Sequence, residues 1–249
     1  MISISLSLEI NKTVSLIKNS KRTFAFTGAG ISVESGIPPF RGDEGIWNKY
    51  DPIFLDINFF KENPEKSWEI SYKAFYEYFN KAKPNRAHQI LATMEEKGLV
   101  DGIITQNIDS LHHQAGSKNV YEFHGNSRSL ICMDCNKKID FNKELLESIP
   151  PYCEKCSGVL KPDFVFFGED IPEPARSMAF KEAENIDLLI IIGTTGEVQP
   201  ASYIPYIANE NGADIIEINI RPSLFTERIT DIYLEGKASS IMEKLHLYL

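Results

Sequence analysis

Apolar runs alternate with amphipathic stretches along most of the chain, and these two patterns predict strands and helices in turn. The clearest strand is Asp187–Ile192, which contains the longest continuous apolar run, as expected of a strand buried on both faces of a sheet. Further strands are predicted at 23–26, 99–105, 119–123, 164–167, 214–218 and 232–234, with helices at 64–97 (broken at Pro84), 109–115, 172–184, 201–211 and from 239 onward. Strands that alternate with helices and end in Gly or Asn favour an α/β fold built on a doubly wound parallel sheet.

Two regions depart from this simple pattern. The opening residues alternate apolar and polar side chains from Ile2 to Ile10, which predicts an extended start, followed by a short helix that ends near 19–21. Residues 43–85 and 125–162 interrupt the strand–helix alternation. We expect these two insertions to build a small second domain, and residues 1–42, 86–124 and 163–249 to build the large one.

Charge and composition exclude several classes of protein. The chain of 249 residues has 26 Lys and Arg against 35 Asp and Glu, a net charge of −9, which argues against non-specific binding of nucleic acid. The longest apolar run, Leu188–Ile192, is far shorter than the roughly 20 residues that cross a bilayer. No basic segment precedes the apolar residues of the N-terminus, so we expect no signal peptide and a cytoplasmic location.

All four cysteines lie in the second insertion, as two Cys-x-x-Cys pairs separated by seventeen residues. The ligands are Cys132, Cys135, Cys153 and Cys156. Two such pairs deliver four thiolates to one tetrahedral Zn²⁺, which then has no open position for catalysis. The sequence therefore predicts a structural zinc, and the few lysines around it do not favour a nucleic-acid-binding module.

A glycine-rich turn follows the first strand. Gly28-Ala29-Gly30 would let the backbone approach a diphosphate, with the next helix presenting its N-terminal N–H groups. Val33 replaces the third glycine of the dehydrogenase fingerprint, so a tight turn without a ligand remains an alternative for these residues alone. The Gly- and Pro-rich stretch 35–42, which carries Phe40 and Arg41, looks like a lid over a cofactor.

Other predicted strands end in small or amide residues, where parallel sheets bind their ligands. These ends are Gln106-Asn107-Ile108-Asp109, Gly193-Thr194-Thr195-Gly196 and Asn219. Together they predict a nucleotide pocket, although Asp109 also suits the start of a helix. His124 follows a strand and is a candidate general base, because imidazole titrates near neutral pH, whereas His88 and His246 are expected to serve packing or the surface.

These motifs together resemble the sirtuins, the NAD-dependent protein lysine deacylases. The resemblance extends from about Phe24 to the C-terminus and rests on segments 28–32, 35–38, 40–42, 105–109, 111–112, 115–116, 124–125, 167–169 and 193–195, together with the four cysteines. It implies a Rossmann-type large domain and a small domain made of a helical insertion (43–85) and a zinc ribbon (125–162).

The resemblance also implies a site and a mechanism. NAD would contact Gly28, Ala29, Gly30, Ser32, Val33, Phe40, Arg41, Trp47, Gln106, Asn107, Ile108, Asp109, Gly193, Thr194, Thr195, Asn219 and Ala238. Asn107, Ile108 and Asp109 would hold the nicotinamide carboxamide, Gln106 the adjacent ribose, and Thr194, Asn219 and Ala238 the adenosine half. Phe40 would shield the reactive face, and His124 would take a proton from a ribose hydroxyl, so that Phe40, Asn107 and His124 are the implied catalytic residues.

Acylated peptide substrates would add a strand between two segments of the chain. The segments are Val165-Phe166-Phe167-Gly168-Glu169 and Gly196-Glu197-Val198. The family more often has Ser at position 195 and a bulky apolar residue at 196, so Thr195 and Gly196 are departures from its pattern. Because no Arg occurs between Arg41 and Arg86 to pair with an acidic acyl group, we expect acetyl to be removed first and succinyl poorly.

The resulting hypothesis is a monomeric NAD-dependent lysine deacetylase. An ADP-ribosyltransferase or NAD glycohydrolase is an alternative, because it breaks the same nicotinamide bond. A non-catalytic NAD- or zinc-binding module is a third possibility, which the presence of Asn107 and His124 disfavours.

Overall fold

The computed structural model describes residues 4–249. Its strands are β1 (Thr23–Thr27), β2 (Gly102–Thr105), β3 (Val120–Glu122), β4 (Gly125–Cys132), β5 (Lys138–Asp140), β6 (Leu160–Phe164), β7 (Leu188–Ile192), β8 (Asp214–Asn219) and β9 (Ile232–Glu235). Its α-helices are α1 (Ile4–Asn19), α2 (Ile57–Glu62), α3 (Pro64–Ser71), α4 (Glu77–Phe79), α5 (Arg86–Glu96), α6 (Leu111–Ala115), α7 (Ala175–Ala183), α8 (Tyr203–Glu210) and α9 (Ala238–His246). A π-helical turn, Tyr72–Tyr76, joins α3 to α4.

Six parallel strands form the main sheet in the order β3-β2-β1-β7-β8-β9. The chain winds outward from β1 in one direction through β2 and β3, then returns to β7 and winds the other way. This is the doubly wound arrangement, and its switch point lies between β1 and β7. Ligands bind such sheets at the carboxyl edge of the switch point, where β1 runs into Gly28 and β7 into Gly193.

The two faces of this sheet are covered by different helices, as the alternation of side chains within each strand requires. In β7, Ile190 packs on the side of α1, α5 and α9, whereas Leu189 and Ile191 pack on the side of α7 and α8. All five β7 residues are buried. A strand that is covered on both faces has no polar face, and the continuous apolar run predicted this correctly.

Helix α1 corrects the prediction of an extended start for the residues that the structure describes. The side chains that pack on the same face of the main sheet as α5 and α9 recur at helical spacing: Leu6, Ile10, Val14 and Ile17. Leu8 is exposed. The apparent alternation arose because some of its members also belong to a helical stripe. Adding turns to a formed helix costs less than nucleating one, so the stripe extends α1 back to Ile4. Residues 1–3 of the predicted extended start lie outside the described residues.

A three-stranded antiparallel sheet, β5-β4-β6, and the helices of residues 57–79 share a second core rich in aromatic side chains. Trp68 is buried in it, and its indole N–H donates to the Leu160 carbonyl at 2.7 Å, joining the helical insertion to β6. This core lies beside the carboxyl edge of the main sheet, because Ile108 belongs to it.

The strand predicted at 164–167 is displaced in the structure. β6 covers Leu160–Phe164 and pairs with β4, whereas Val165 and the residues after it leave that ladder. The N–H of Phe167 instead donates to the Leu55 carbonyl at 2.7 Å. Phe164 and Phe166 pack in the aromatic core with the helical insertion, whereas Val165 packs against the core of the main sheet, so the apolar pattern of 164–167 does not mark a strand of that sheet. Among the described helices, none has the length and apolar character needed to cross a bilayer.

Candidate active site

A cleft of about 820 Å³ lies at the carboxyl edge of the main sheet, between that sheet and the aromatic core of the small domain. Of the residues predicted to contact NAD, these line it: Gly28, Ala29, Gly30, Val33, Phe40, Arg41, Trp47, Gln106, Asn107, Ile108, Gly193, Thr194, Thr195, Asn219 and Ala238. Ser32 and Asp109 do not line the cleft and lie behind its wall. The size is within the range of small-molecule sites, so the cleft can hold a dinucleotide.

The glycines of the two strand-end turns are required first by the contact between the turns. A Cβ on Gly30 would lie 2.6 Å from the Gly193 Cα, and one on Gly28 would lie 2.8 Å from the Thr194 Cβ. The N–H groups of Gly28 and Gly30 donate to the carbonyls of Ile192 and Gly193. Because of these short distances, Gly28 and Gly30 have a packing role in addition to the predicted role of letting a diphosphate approach. Their own N–H groups already have partners. The helix expected after this turn is a 3₁₀ helix, Ala29–Ser35.

The polar residues that follow β2 form a buried hydrogen-bond network. The Asn107 amide donates to the Gly28 carbonyl at 3.1 Å and to Ser32 Oγ at 3.2 Å. Ser32 in turn donates to Asp109 Oδ2 at 2.6 Å, while Asp109 Oδ1 accepts the Leu111 N–H at the start of α6. Burial raises the pKa of Asp109, although these two hydrogen bonds oppose the rise. Ser32 and Asp109 therefore orient Asn107. Asp109 also accepts a backbone N–H at the start of α6, although Ser110 and not Asp109 is the N-cap residue.

His124 lies in the short connection between β3 and β4 and lines the same cleft. Its Nδ1 faces the Gln106 carbonyl at 3.1 Å, and since a carbonyl only accepts, Nδ1 carries the proton. Nε2 is then the proton acceptor. Burial lowers the pKa of His124, so the neutral imidazole that a general base requires predominates at neutral pH.

The loop predicted to form a lid contacts the aromatic core of the small domain through tilted aromatic ring pairs. The Phe40 ring lies 5.2 Å from the Trp47 ring and 6.0 Å from that of Phe75, centroid to centroid. Arg41 Nε forms an ion pair with Glu197 Oε2 at 2.9 Å. This ion pair links the loop of residues 35–42, in which Arg41 is predicted to contact NAD, to the turn after β7, in which residues 196–198 are predicted to bind the peptide.

The segments predicted to bind a peptide are placed differently from one another. Val165, Phe166, Phe167, Gly168 and Glu169 all line the cleft, as does Val198. Gly196 and Glu197 do not. Gly196 has a φ of +78°, and a Cβ there would lie 2.8 Å from the Phe225 ring, so both backbone and packing favour glycine.

Several cleft residues were not anticipated from the sequence. Leu55, Phe75 and Phe164 form an apolar wall that belongs to the aromatic core, while Arg221 and Lys237 bring cations to the edge beyond β8 and β9. Arg221 follows the strand end at Asn219 closely, so a search for cations after each strand would have found it. The aromatic residues gave no local signal, because they look like ordinary core side chains.

The four cysteines converge, as their spacing predicted. Their sulfur atoms all lie within 4.8 Å of one another. Tetrahedral zinc with Zn–S bonds of about 2.3 Å places its thiolates just under 4 Å apart. Since four cysteine ligands leave no position for a reactant, Cys132, Cys135, Cys153 and Cys156 fit a structural zinc rather than a catalytic one.

Comparison with known proteins identifies the family. The sequence model of the Sir2 family matches residues 28–200. The chain belongs to the Sir2 family. A relative in Pyrococcus furiosus, named NAD-dependent protein deacylase, is 45% identical over 237 residues, covering 92% of this chain and 94% of that protein. A relative in Pyrobaculum aerophilum, named NAD-dependent protein deacetylase 1, is 41% identical over 239 residues, covering 95% and 93%.

Solved Sir2 structures share the whole architecture. A Sir2 complex with a p53 peptide and NAD⁺ matches with a TM-score of 0.88 at 35% identity, covering 96% of this chain and 97% of that one. A variant Sir2 with a deacetylated p53 peptide and 3′-O-acetyl ADP-ribose matches with a TM-score of 0.90 at 36% identity and the same coverage. The Rossmann-type fold with a smaller cysteine-bearing domain, predicted from the sequence, is therefore confirmed.

Proposed function

We propose that this Sir2 chain is an NAD-dependent protein lysine deacetylase that converts acetyl-lysine, NAD and water to lysine, nicotinamide and O-acetyl-ADP-ribose. The observation that carries the proposal is the position of His124. Its Nδ1 is fixed by the carbonyl of Gln106, in the same loop as Asn107, so a proton acceptor and the polar strand end face one cleft. The names of the relatives support an NAD-dependent deacylase.

Different residues of the cleft hold different parts of NAD. Gly28, Ala29 and Gly30 form the turn at the diphosphate, with Val33 and Arg41 beside it, and Gly193, Thr194, Thr195, Asn219 and Ala238 hold the adenosine half. When bound, NAD supplies the ADP-ribose that accepts the acyl group as nicotinamide leaves. Asn107 and Ile108 orient the carboxamide from the wall of the cleft, and Ser32 and Asp109 hold Asn107 from behind that wall.

Three side chains then act on the reaction. Gln106 positions the ribose, and its amide is itself held by Thr194 Oγ1 at 3.1 Å. His124 Nε2 takes a proton from a ribose hydroxyl, which makes that oxygen the better nucleophile. Phe40, packed against Trp47, keeps water from the reacting face while nicotinamide leaves, so that the acyl oxygen rather than water bonds to the ribose.

The substrate is an acylated lysine in a peptide, held by residues 165–169 and 196–198. The wall of the cleft on the side of the aromatic core is formed by Phe40, Leu55, Phe75, Phe164 and Phe166, which suits a short neutral acyl group. Residues of one chain line this cleft, so the proposed activity needs no second subunit and we expect a monomer. The net charge of −9 disfavours a direct contact with nucleic acid. The cytoplasmic location and the bounds of the two domains stay predictions from the sequence.

Mass spectrometry of an acetyl-lysine peptide, with and without NAD, tests the proposal. We expect loss of acetyl only with NAD, equimolar acetyl-ADP-ribose, and no turnover by His124→Ala. His113→Ala is the matched control, because His113 lies near Glu122 and does not line the cleft. Nicotinamide release with the peptide still acetylated would instead support the transferase or glycohydrolase, and binding of NAD without turnover would support a binding module.

A further inference from the structure

A buried lysine lies directly behind the cleft-lining segment 165–169. Lys161, on β6, is only 3% exposed. Its Nζ donates to the carbonyls of Pro162 and Phe164, both at 2.8 Å, and forms an ion pair with Glu169 Oε2 at 3.0 Å. An ammonium group has three N–H donors, so this set of acceptors satisfies all of them.

The partners of Lys161 close a turn within the same segment. Glu169 Oε2 also accepts the Phe166 N–H at 2.8 Å, and the Glu169 N–H donates back to the Phe166 carbonyl at 3.0 Å. Gly168, inside this turn, has a φ of +89°. Lys161 Nζ also lies 4.2 Å from the centre of the Phe166 ring. The Lys161 ammonium therefore contacts both ends of the segment 164–169 as well as the Phe166 ring between them, and it stabilises the fold of this segment.

The same segment is fastened on its other side to the catalytic machinery and to the helical insertion. The Val165 N–H donates to the His124 carbonyl at 2.9 Å. Phe167 exchanges hydrogen bonds with Leu55 and Ile57, at 2.7 and 3.0 Å. What these contacts leave facing outward is the Phe167 side chain, which is 53% exposed and lines the cleft.

A buried charge is costly unless it is fully paired, so its presence needs a reason beyond filling space. An apolar side chain such as Met would fill the volume of Lys161 without that cost. All three acceptors, however, lie between positions 162 and 169, so the charge determines the path of this segment alone. We propose that Lys161 is a positioning residue that holds residues 165–169 in the conformation that receives the substrate peptide.

This inference rests on the proposed function, because it assigns those residues to peptide binding. Lys161 acts through Glu169 and the Phe164 carbonyl and does not contact the substrate. Its loss is therefore expected to weaken binding of peptide while leaving binding of NAD and the chemical step nearly intact.

Steady-state kinetics of Lys161→Met, varying acetyl-peptide and NAD separately, tests the role. We expect the KM for peptide to rise at least about tenfold, equivalent to about 1.4 kcal/mol, with kcat and the KM for NAD each changed less than about threefold. Lys138→Met is the matched control, because Lys138 is a 64% exposed lysine on the same small sheet, paired with Asp163 at 2.9 Å. Its peptide KM should stay within about twofold of wild type, as expected for an exposed ion pair.

A double-mutant cycle with Glu169→Gln separates positioning from stability. If the two residues act as a unit, the double variant should raise the peptide KM no more than the larger single change. The double variant should also be more stable than Glu169→Gln alone, since it leaves no buried ammonium without a counterion. Should Lys161→Met fail to fold, Glu169→Gln and the double variant carry the test.

Two results would overturn the inference. One is a folded, zinc-containing Lys161→Met enzyme with an unchanged peptide KM, and the other is a joint loss of kcat and NAD affinity, which would indicate general damage. Either result with an active wild type refutes only the role of Lys161. An inactive wild type refutes the proposed function instead.

Discussion

Acid should destabilise this protein by protonating His88, a histidine for which the sequence predicted only a packing or surface position. His88, in the first turn of α5, is fully buried, and burial lowers its pKa to about 4. Its Nδ1 accepts the Asn85 N–H at 3.3 Å, so protonation would also remove that hydrogen bond. The ring of His112, another buried histidine with a lowered pKa, lies 4.9 Å away and makes a second positive charge there still less favourable.

The direction and size of the effect follow from these pKa values. In the unfolded chain His88 titrates near 6.5, so between pH 6.5 and 4 the unfolded state binds more protons than the folded state. The free energy of unfolding therefore falls as the pH falls through this window. At about 1.4 kcal/mol for each pKa unit, the difference corresponds to about 3 kcal/mol.

The measurement compares wild type with His88→Gln by urea unfolding, followed by circular dichroism, at pH values from 8 to 4. Gln at this position can accept the Asn85 N–H as in a capping box, but it does not titrate. The stability of wild type relative to the variant should be constant above pH 7.5 and fall by about 3 kcal/mol by pH 4. The carboxylates, Asp109 included, are present in both proteins and largely cancel. Parallel curves across the whole range would refute the reasoning.

Four further outcomes are expected. Complete chelation of the metal, confirmed by elemental analysis, should unfold the 129–161 module and abolish turnover, and activity that survived it would contradict a structural role for zinc. Gly30→Ala should lower the free energy of unfolding by more than about 1 kcal/mol, since its Cβ would clash with the Gly193 backbone, and an unchanged melting temperature would be inconsistent with that packing. The acid limb of kcat/KM should lie below pH 6.5, because burial lowers the pKa of His124 and the neutral ring is the active form, whereas a midpoint above 7 would argue against His124 as the base. Succinyl-lysine peptide should be cleaved at least about tenfold more slowly than acetyl-lysine peptide, because no Arg lies between 42 and 85 to pair with the acidic acyl group, and comparable rates would refute this.

The strand ends show how far local pattern reaches in this fold. Gln106, Asn107, Thr194 and Asn219 were recognisable because each follows an apolar strand, and parallel strands bring their carboxyl ends to one edge. The hydrogen bonds among them were not recognisable. The Asn219 amide, for example, donates to the Thr194 carbonyl at 2.9 Å, across two strands that are separated by a helix in the chain.

Helix α1 and strand β6 show where local pattern fails. Both segments carry apolar residues that suit more than one periodicity, so their structure depended on which partner covered them. Leu6 and Ile10 pack against the main sheet on the face that α5 and α9 also cover, and Phe164 and Phe166 pack in the aromatic core. A short apolar segment has no preference strong enough to resist such contacts.

The features readable from the amino-acid sequence are those that depend on neighbours along the chain: the alternation of strands and helices, the cysteine pairs with zinc-ligand spacing, and the small and amide residues that end the strands. Which distant groups meet followed from the three-dimensional packing alone. The contact of Gly30 with Gly193, the Arg41–Glu197 pair and the burial of His88 against Ser32 all join residues far apart in sequence. The physical reason is that periodicity and turn chemistry are local properties, whereas strand order and the packing of the two domains determine long-range contacts and, through burial, the charge states of the groups within them.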